Sequence, residues 1–76
     1  MITAKEFLNK IKWDKRENPK EYSIAYFDRI KNELIEIPYD SIDIEGDFIL
    51  TIDGKTIPMH RIKQIRKNNK IVWERK

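Results

Sequence analysis

The hydrophobic period of this chain changes once, at Tyr22, and that switch limits the folds open to it. Before it, Ala4, Phe7, Leu8 and Ile11 fall at i, i+3, i+4 and i+7, one stripe of a helix. Thr3-Ala4-Lys5-Glu6 has the form of a capping box, with Thr3 as N-cap and Glu6 reaching back. Lys5, Glu6, Asn9, Lys10 and Lys12 take the opposite, solvated face. The spacing predicts a helix from Ala4 to Lys12 with Trp13 at its end. The charged loop Asp14–Lys20 follows, and Pro19 forbids a helix through it. After the switch the apolar runs are short and rich in β-branched and aromatic residues.

Tyr22–Phe27 reads as a first strand, Leu34–Ile37 as a second closed by Pro38, and Phe48–Ile52 as a third. Pro38-Tyr39-Asp40-Ser41 suits a turn. Asp53-Gly54 predicts a two-residue type I′ hairpin, which sets Ile52 opposite Lys55 and Leu50 opposite Ile57. Pro58–Lys67 is open to two readings. Met59, Ile62 and Ile65 are three apart, and Pro58 could open a short helix. Asn68-Asn69, however, suits another type I′ turn before the strand-like Lys70–Trp73. That hairpin is favoured, because it sets Ile65 opposite Val72, Gln64 opposite Trp73 and Lys63 opposite Glu74. The expected fold is α+β: one N-terminal helix packed on a small, mostly antiparallel sheet, curled at most into a partial barrel. Residues 1–76 read as a single domain without internal repeat, linker or low-complexity segment.

A chain of 76 residues excludes any fold of roughly 200 residues or more. Hydrophobic residues are 39% and charged residues 38%, so the expected core is modest and the surface wet. Cysteine is absent, which removes disulfides, thiolate chemistry and Cys-type zinc sites together. Apolar runs of a few residues predict neither a transmembrane span nor a secretory segment, hence a soluble, cytoplasmic protein. The net charge of +3 conceals three blocks. Residues 1–27 hold six bases and four acids, residues 28–53 two and eight, and residues 54–76 eight and one, giving +2, −6 and +7. The basic block could attract phosphate, unless the acidic segment 33–53 pairs with it and neutralises that face.

His60 is the single histidine, and with Arg61 beside it the pair could bind phosphate, one ring N–H donating beside a bidentate guanidinium. One histidine cannot build a three-ligand zinc site, so no metal and no cofactor is expected. Asp28 and Arg29, adjacent at a strand end, point to opposite faces. Asp28 could then orient His60 or an arginine of the last block, while Arg29 reaches a ligand oxyanion. Trp13, Tyr26 and Trp73 lie close in sequence to Lys12, Arg29 and Arg75, a mixture that suits stacking on unpaired bases. Aromatics also fill small cores, and Trp73 within Ile71-Val72-Trp73 is assigned to the core. Two glycines leave no room for a phosphate-binding glycine loop or a nucleophile elbow. The apolar stripe of the helix is needed for the core, which argues against membrane-surface binding.

Trp13-Asp14, Tyr26-Phe27-Asp28-Arg29, Ile57-Pro58-Met59-His60-Arg61-Ile62 and Val72-Trp73-Glu74-Arg75 occur in that order. With these blocks the chain resembles a small archaeal family, the RNA cyclic group end recognition domain, over nearly its whole length. The resemblance implies recognition of RNA ends carrying a cyclic phosphate, and RNA-processing proteins as partners. By position it points to Trp13, Tyr26, Asp28, Arg29, His60, Arg61, Trp73 and Arg75. Ile30 stands where a glycine is expected, Met59 where an aromatic is common, and Glu74 where an Asp is expected.

The expectation is therefore an RNA-binding module for RNA termini. A 2′,3′-cyclic phosphate would sit among His60, Arg61 and Arg29, with Asp28 orienting one of them. Trp13 or Tyr26 would stack on the terminal base, Lys63, Arg66 and Lys67 would follow the backbone, and Arg75 is a further RNA- or phosphate-binding candidate. One alternative is a protein-interaction module using the basic C-terminal hairpin. The other is a cyclic phosphodiesterase with His60 as acid or base and Asp28 as the second proton-transfer group.

Overall fold

Thr3 caps the first helix from both directions. In the computed structural model, which describes residues 2–75, α1 spans Ala4–Trp13. The Thr3 Oγ1 accepts the Glu6 N–H at 3.1 Å, and the Glu6 carboxylate accepts the Thr3 N–H at 3.4 Å. Ala4, Leu8 and Ile11 are buried, while half-buried Phe7 meets Tyr22 edge to face at 6.4 Å. The amphipathic period thus places the helix on its apolar stripe, as expected.

Seven strands follow: β1 (Tyr22–Asp28), β2 (Glu33–Pro38), β3 (Ile42–Glu45), β4 (Phe48–Thr51), β5 (Thr56–Pro58), β6 (Ile62–Lys67) and β7 (Lys70–Glu74). They form two antiparallel sheets, in the orders β2-β1-β6-β7 and β3-β4-β5. The fold is α+β with two sheets instead of one, and these do not close into a barrel. Strand β3 is an addition to the sequence reading. It pairs with β4 across Gly46-Asp47, whose glycine takes φ 61, the left-handed value that a type II′ turn needs first.

Two expected registers are corrected. The β4–β5 connection is not a two-residue hairpin. The Thr51 N–H donates to the Lys55 carbonyl at 2.8 Å, the Gly54 N–H to the Thr51 carbonyl at 3.0 Å, and only Gly54 is left-handed, at φ 86. That is a three-residue loop with a glycine bulge, so Leu50 faces Thr56 and Ile49 faces Ile57. At the last hairpin both Asn68 (φ 52) and Asn69 (φ 70) adopt the type I′ conformation. A bulge then shifts the ladder, so Ile65 faces Trp73 and Gln64 faces Glu74. Pro58–Lys67 combines both earlier readings: a 3-10 turn at Met59–Arg61, then strand β6.

The chain crosses between sheets at two corners of one design. Ile37-Pro38-Tyr39-Asp40-Ser41-Ile42 joins β2 to β3, and Ile57-Pro58-Met59-His60-Arg61-Ile62 joins β5 to β6. In each, Pro precedes a one-turn 3-10 helix, with φ/ψ of −66/141 at Pro38 and −61/144 at Pro58. Tyr39 and Met59, first in each turn, are buried. A short recurrence therefore exists where the sequence reading found no repeat. Leu8, Ile24, Ile49, Ile62 and Ile65, from the helix and both sheets, fill the core centre. Trp73 is buried as expected, with its indole N–H donating to the Ile2 carbonyl at 2.9 Å.

Candidate functional site

Which cations are already engaged decides where an anion can be held. Arg66 pairs with Glu36 at 3.2 Å and grips the Gln64 side-chain oxygen, at 2.7 Å from Nη2. Lys67 reaches Glu17 at 3.4 Å and lies 5.5 Å above the Tyr22 ring. Arg75 donates to the Ile62 and Met59 carbonyls, both at 3.1 Å, and lies 5.4 Å over Trp73. Three of the bases expected on RNA thus have structural partners. Arg29, Lys55, Arg61, Lys63 and Lys70 form no ion pair among the described residues. Within those residues the acidic segment meets the basic block at a single ion pair, Arg66 with Glu36.

Three of the unpaired cations converge. Arg29, Lys55 and Arg61 line a cleft of about 410 Å³, with Tyr26, Phe27, Asp28, Ile30, Thr56 and Ile57 as its other walls. The end of β1 and its loop supply one side, the start of β5 the other, and the second corner brings Arg61. The Arg61 Nε is buried and lacks a hydrogen-bond partner among the described residues. A buried donor without an acceptor is costly, more so when charged. This atom is closed to solvent, however, so an oxyanion would meet it only if the guanidinium turned toward the cleft.

Asp28 shapes the cleft through its own loop. Its carboxylate accepts the Ile30 N–H at 2.9 Å and the Lys31 N–H at 3.3 Å. The Lys31 N–H first, then the Ile30 N–H and the Lys55 ammonium, hold the carboxyl below the usual carboxylate range against the opposing effect of burial. Asn32, at φ 54, takes the left-handed position of this loop, so Ile30 fits where a glycine was expected. Asp28 orders the segment carrying Arg29, and its hydrogen bonds among the described residues go to that loop and not to His60.

Sequence neighbours part company here. His60 is exposed and lines another cleft, of about 350 Å³, with Thr3, Ala4, Lys5, Asp47, Met59 and Arg75. The structure therefore brings Arg29, Arg61 and Asp28 together and leaves His60 out. Lys63 is exposed on β6, and its carbonyl accepts the Arg75 N–H at 2.8 Å. Tyr26 is 7% exposed, so its ring is a wall and not an open platform for stacking. Trp13 is 76% exposed, near the Tyr22 end of β1, where the Glu17 carboxylate accepts the Tyr22 hydroxyl. Arg29 follows the other end of that strand, about 20 Å away along seven extended residues. Lys55 and Thr56 were missed by sequence reasoning, although Lys55 directly follows the conspicuous Asp53-Gly54 turn. Among the described residues no group of acids and histidine could hold a metal ion, and no helix is long and apolar enough to cross a membrane.

The chain is similar to known proteins over nearly its whole length. A UPF0248 protein of Pyrococcus abyssi is 42% identical over 74 residues, covering 95% of this chain and 88% of that protein. One from Metallosphaera sedula is 36% identical over 75 residues, covering 97% and 94%. One from Methanococcus maripaludis is 36% identical over 75 residues, covering 95% and 97%. No solved structure matches. The family model described as the MJ1316 RNA cyclic group end recognition domain matches residues 1–75, helix, both sheets and cleft included, and this chain belongs to that family.

Proposed function

We propose that this protein binds RNA termini and holds the terminal phosphate, in its 2′,3′-cyclic form, in the Arg29–Lys55–Arg61 cleft. The convergence of Arg29, Lys55 and Arg61 on one cleft, none of them ion-paired among the described residues, carries the reading. Guanidinium groups bind phosphate oxygens through paired N–H donors, and an ammonium adds a point charge beside them. The name of the matching family supports the same ligand. Charge alone would favour a linear phosphate near −2 over the cyclic monoanion. Preference for the cyclic form then rests on the apolar walls Tyr26, Phe27 and Ile57, since burying the larger charge costs more. Upstream phosphates pass over the Met59–Arg61 turn to His60 and Lys63, and exposed Trp13 offers a face to a more distant base.

Short RNAs ending in a cyclic phosphate, a linear 3′-phosphate or a hydroxyl, titrated by fluorescence at two salt concentrations, test this. The cyclic end should bind tightest, and Arg61→Ala should weaken it about tenfold or more, the loss of a charged hydrogen bond. Three phosphate contacts predict a slope of about −2 in log affinity against log salt. His60→Ala should weaken all three RNAs alike. Equal affinity for the three ends would reduce the cleft to a general basic patch, and no binding at all would refute the proposal. A protein-interaction module is the second reading, favoured by edge strand β7, where Ile71 and Val72 are exposed. It predicts a recoverable acidic protein partner and indifference to RNA.

A further inference from the structure

A second cleft, of about 420 Å³, shares Tyr26 and Lys55 with the cationic one. Its remaining walls are Ile37 and Pro38 at the end of β2, Ser41 in the first corner, and Thr51, Ile52 and Asp53 of the β4–β5 hairpin. Three features suit it to a ligand. Ile52 is 89% exposed at the hairpin tip, where the fold makes no use of a β-branched side chain. Tyr26 lines both clefts and its hydroxyl has no hydrogen-bond partner among the described residues, whereas the buried Tyr39 hydroxyl donates to the Leu8 carbonyl at 2.9 Å. Asp53 accepts the Thr51 hydroxyl, and that bond holds its carboxyl below the usual range, so an ionised acceptor stands at the rim.

Resting on the RNA-end reading above, we infer that this second cleft is the nucleoside slot of the same site. The ribose and base of the terminal nucleotide lie along Ile37, Pro38 and Ile52, while its phosphate meets Arg61 next door. Lys55 and the Tyr26 hydroxyl, at the junction, address the sugar edge, and Asp53 accepts from a base amino group. A base held this way has left its partner strand, so the ligand class is an unpaired, single-stranded terminus carrying a cyclic phosphate.

The test compares cytidine 2′,3′-cyclic monophosphate with ethylene phosphate, a cyclic phosphate lacking a nucleoside, by amide NMR titration of the full chain. Both ligands should move the Arg29 and Arg61 amides. Only the nucleotide should move Ser41, Ile52 and Asp53, and it should bind at least fivefold more tightly. Ile52→Ser, at a solvent-exposed position, should erase that gain, while Ile71→Ser on edge strand β7 should keep it. Equal affinities, or a gain that survives Ile52→Ser, would overturn the slot and leave the phosphate cleft standing. Silence at Arg29 and Arg61 with both ligands would instead overturn the RNA-end reading, and the slot with it.

Discussion

Tyr22 shows how much one side chain can join. Its ring packs on Phe7 and lies beneath Lys67, and its hydroxyl donates to Glu17. Burial first, then the Glu17 carboxylate, pushes its pKa up to about 12 from an ordinary value near 10. The unfolded chain would thus lose the phenolic proton before the folded one does. Stability should be fully present below pH 10 and fall as pH rises toward 12. Chemical denaturation should find that alkaline loss shallower in Tyr22→Phe. At the same scale lies the clearest limit of legibility. His60 and Arg61 are adjacent, and a sequence invites treating them as a pair. They occupy a 3-10 turn, where three residues complete a revolution and successive side chains diverge by about 120°. Arg61 reaches the cationic cleft and His60 another. Only the backbone conformation separates them, and no residue pattern shows it.

Elements were legible where local chemistry alone decides them. Thr3 and Glu6 mark the start of α1, and Thr3→Ala should cost about 1 kcal/mol. For a domain of this size a thermal melt should register it as a fall of about 4–8 °C. Asn68-Asn69 likewise announced its turn, because asparagine tolerates the left-handed region that both residues occupy. Strand β3 is less legible although Ile42-Asp43-Ile44-Glu45 alternates perfectly, because its acids suit a charged loop as well as the wet face of a strand. The shifted registers were beyond reach for another reason. Asp53-Gly54 is compatible with two- and three-residue loops, and the bulge beside Val72 follows from how β6 and β7 twist together, not from either strand alone. Those shifts also concealed Lys55 as a site residue.

At the scale of the whole molecule, helix and both sheets share one core, and Ile49 is the fully buried contribution of β4 to it. Ile49→Ala should cost about 2–5 kcal/mol, a large part of the total in so small a domain. Urea denaturation should show a much lower midpoint with an unchanged slope. Anion binding should fade with it, because the cationic cleft takes walls from both sheets. The α+β class followed from the change of period at Tyr22. Division into two sheets did not, because β1 joins β6 from the far half of the chain, a non-local pairing that no local pattern encodes.

The two Ile-Pro-x-x-x-Ile corners have a further consequence. Residues 42–58, the entire three-stranded meander, leave and rejoin the larger body through equivalent joints. The meander is thereby a cassette: Lys55, Thr56, Ile52 and Asp53 travel with it, while Arg29, Asp28 and Arg61 stay behind. Exchanging it at these corners would replace its share of the proposed cleft walls in one step, provided that Ile49 and Ile57, its contribution to the common core, were kept. Such a joint would let Lys55 and its neighbours vary on one side of the proposed site while Arg29 and Arg61 stay unchanged on the other.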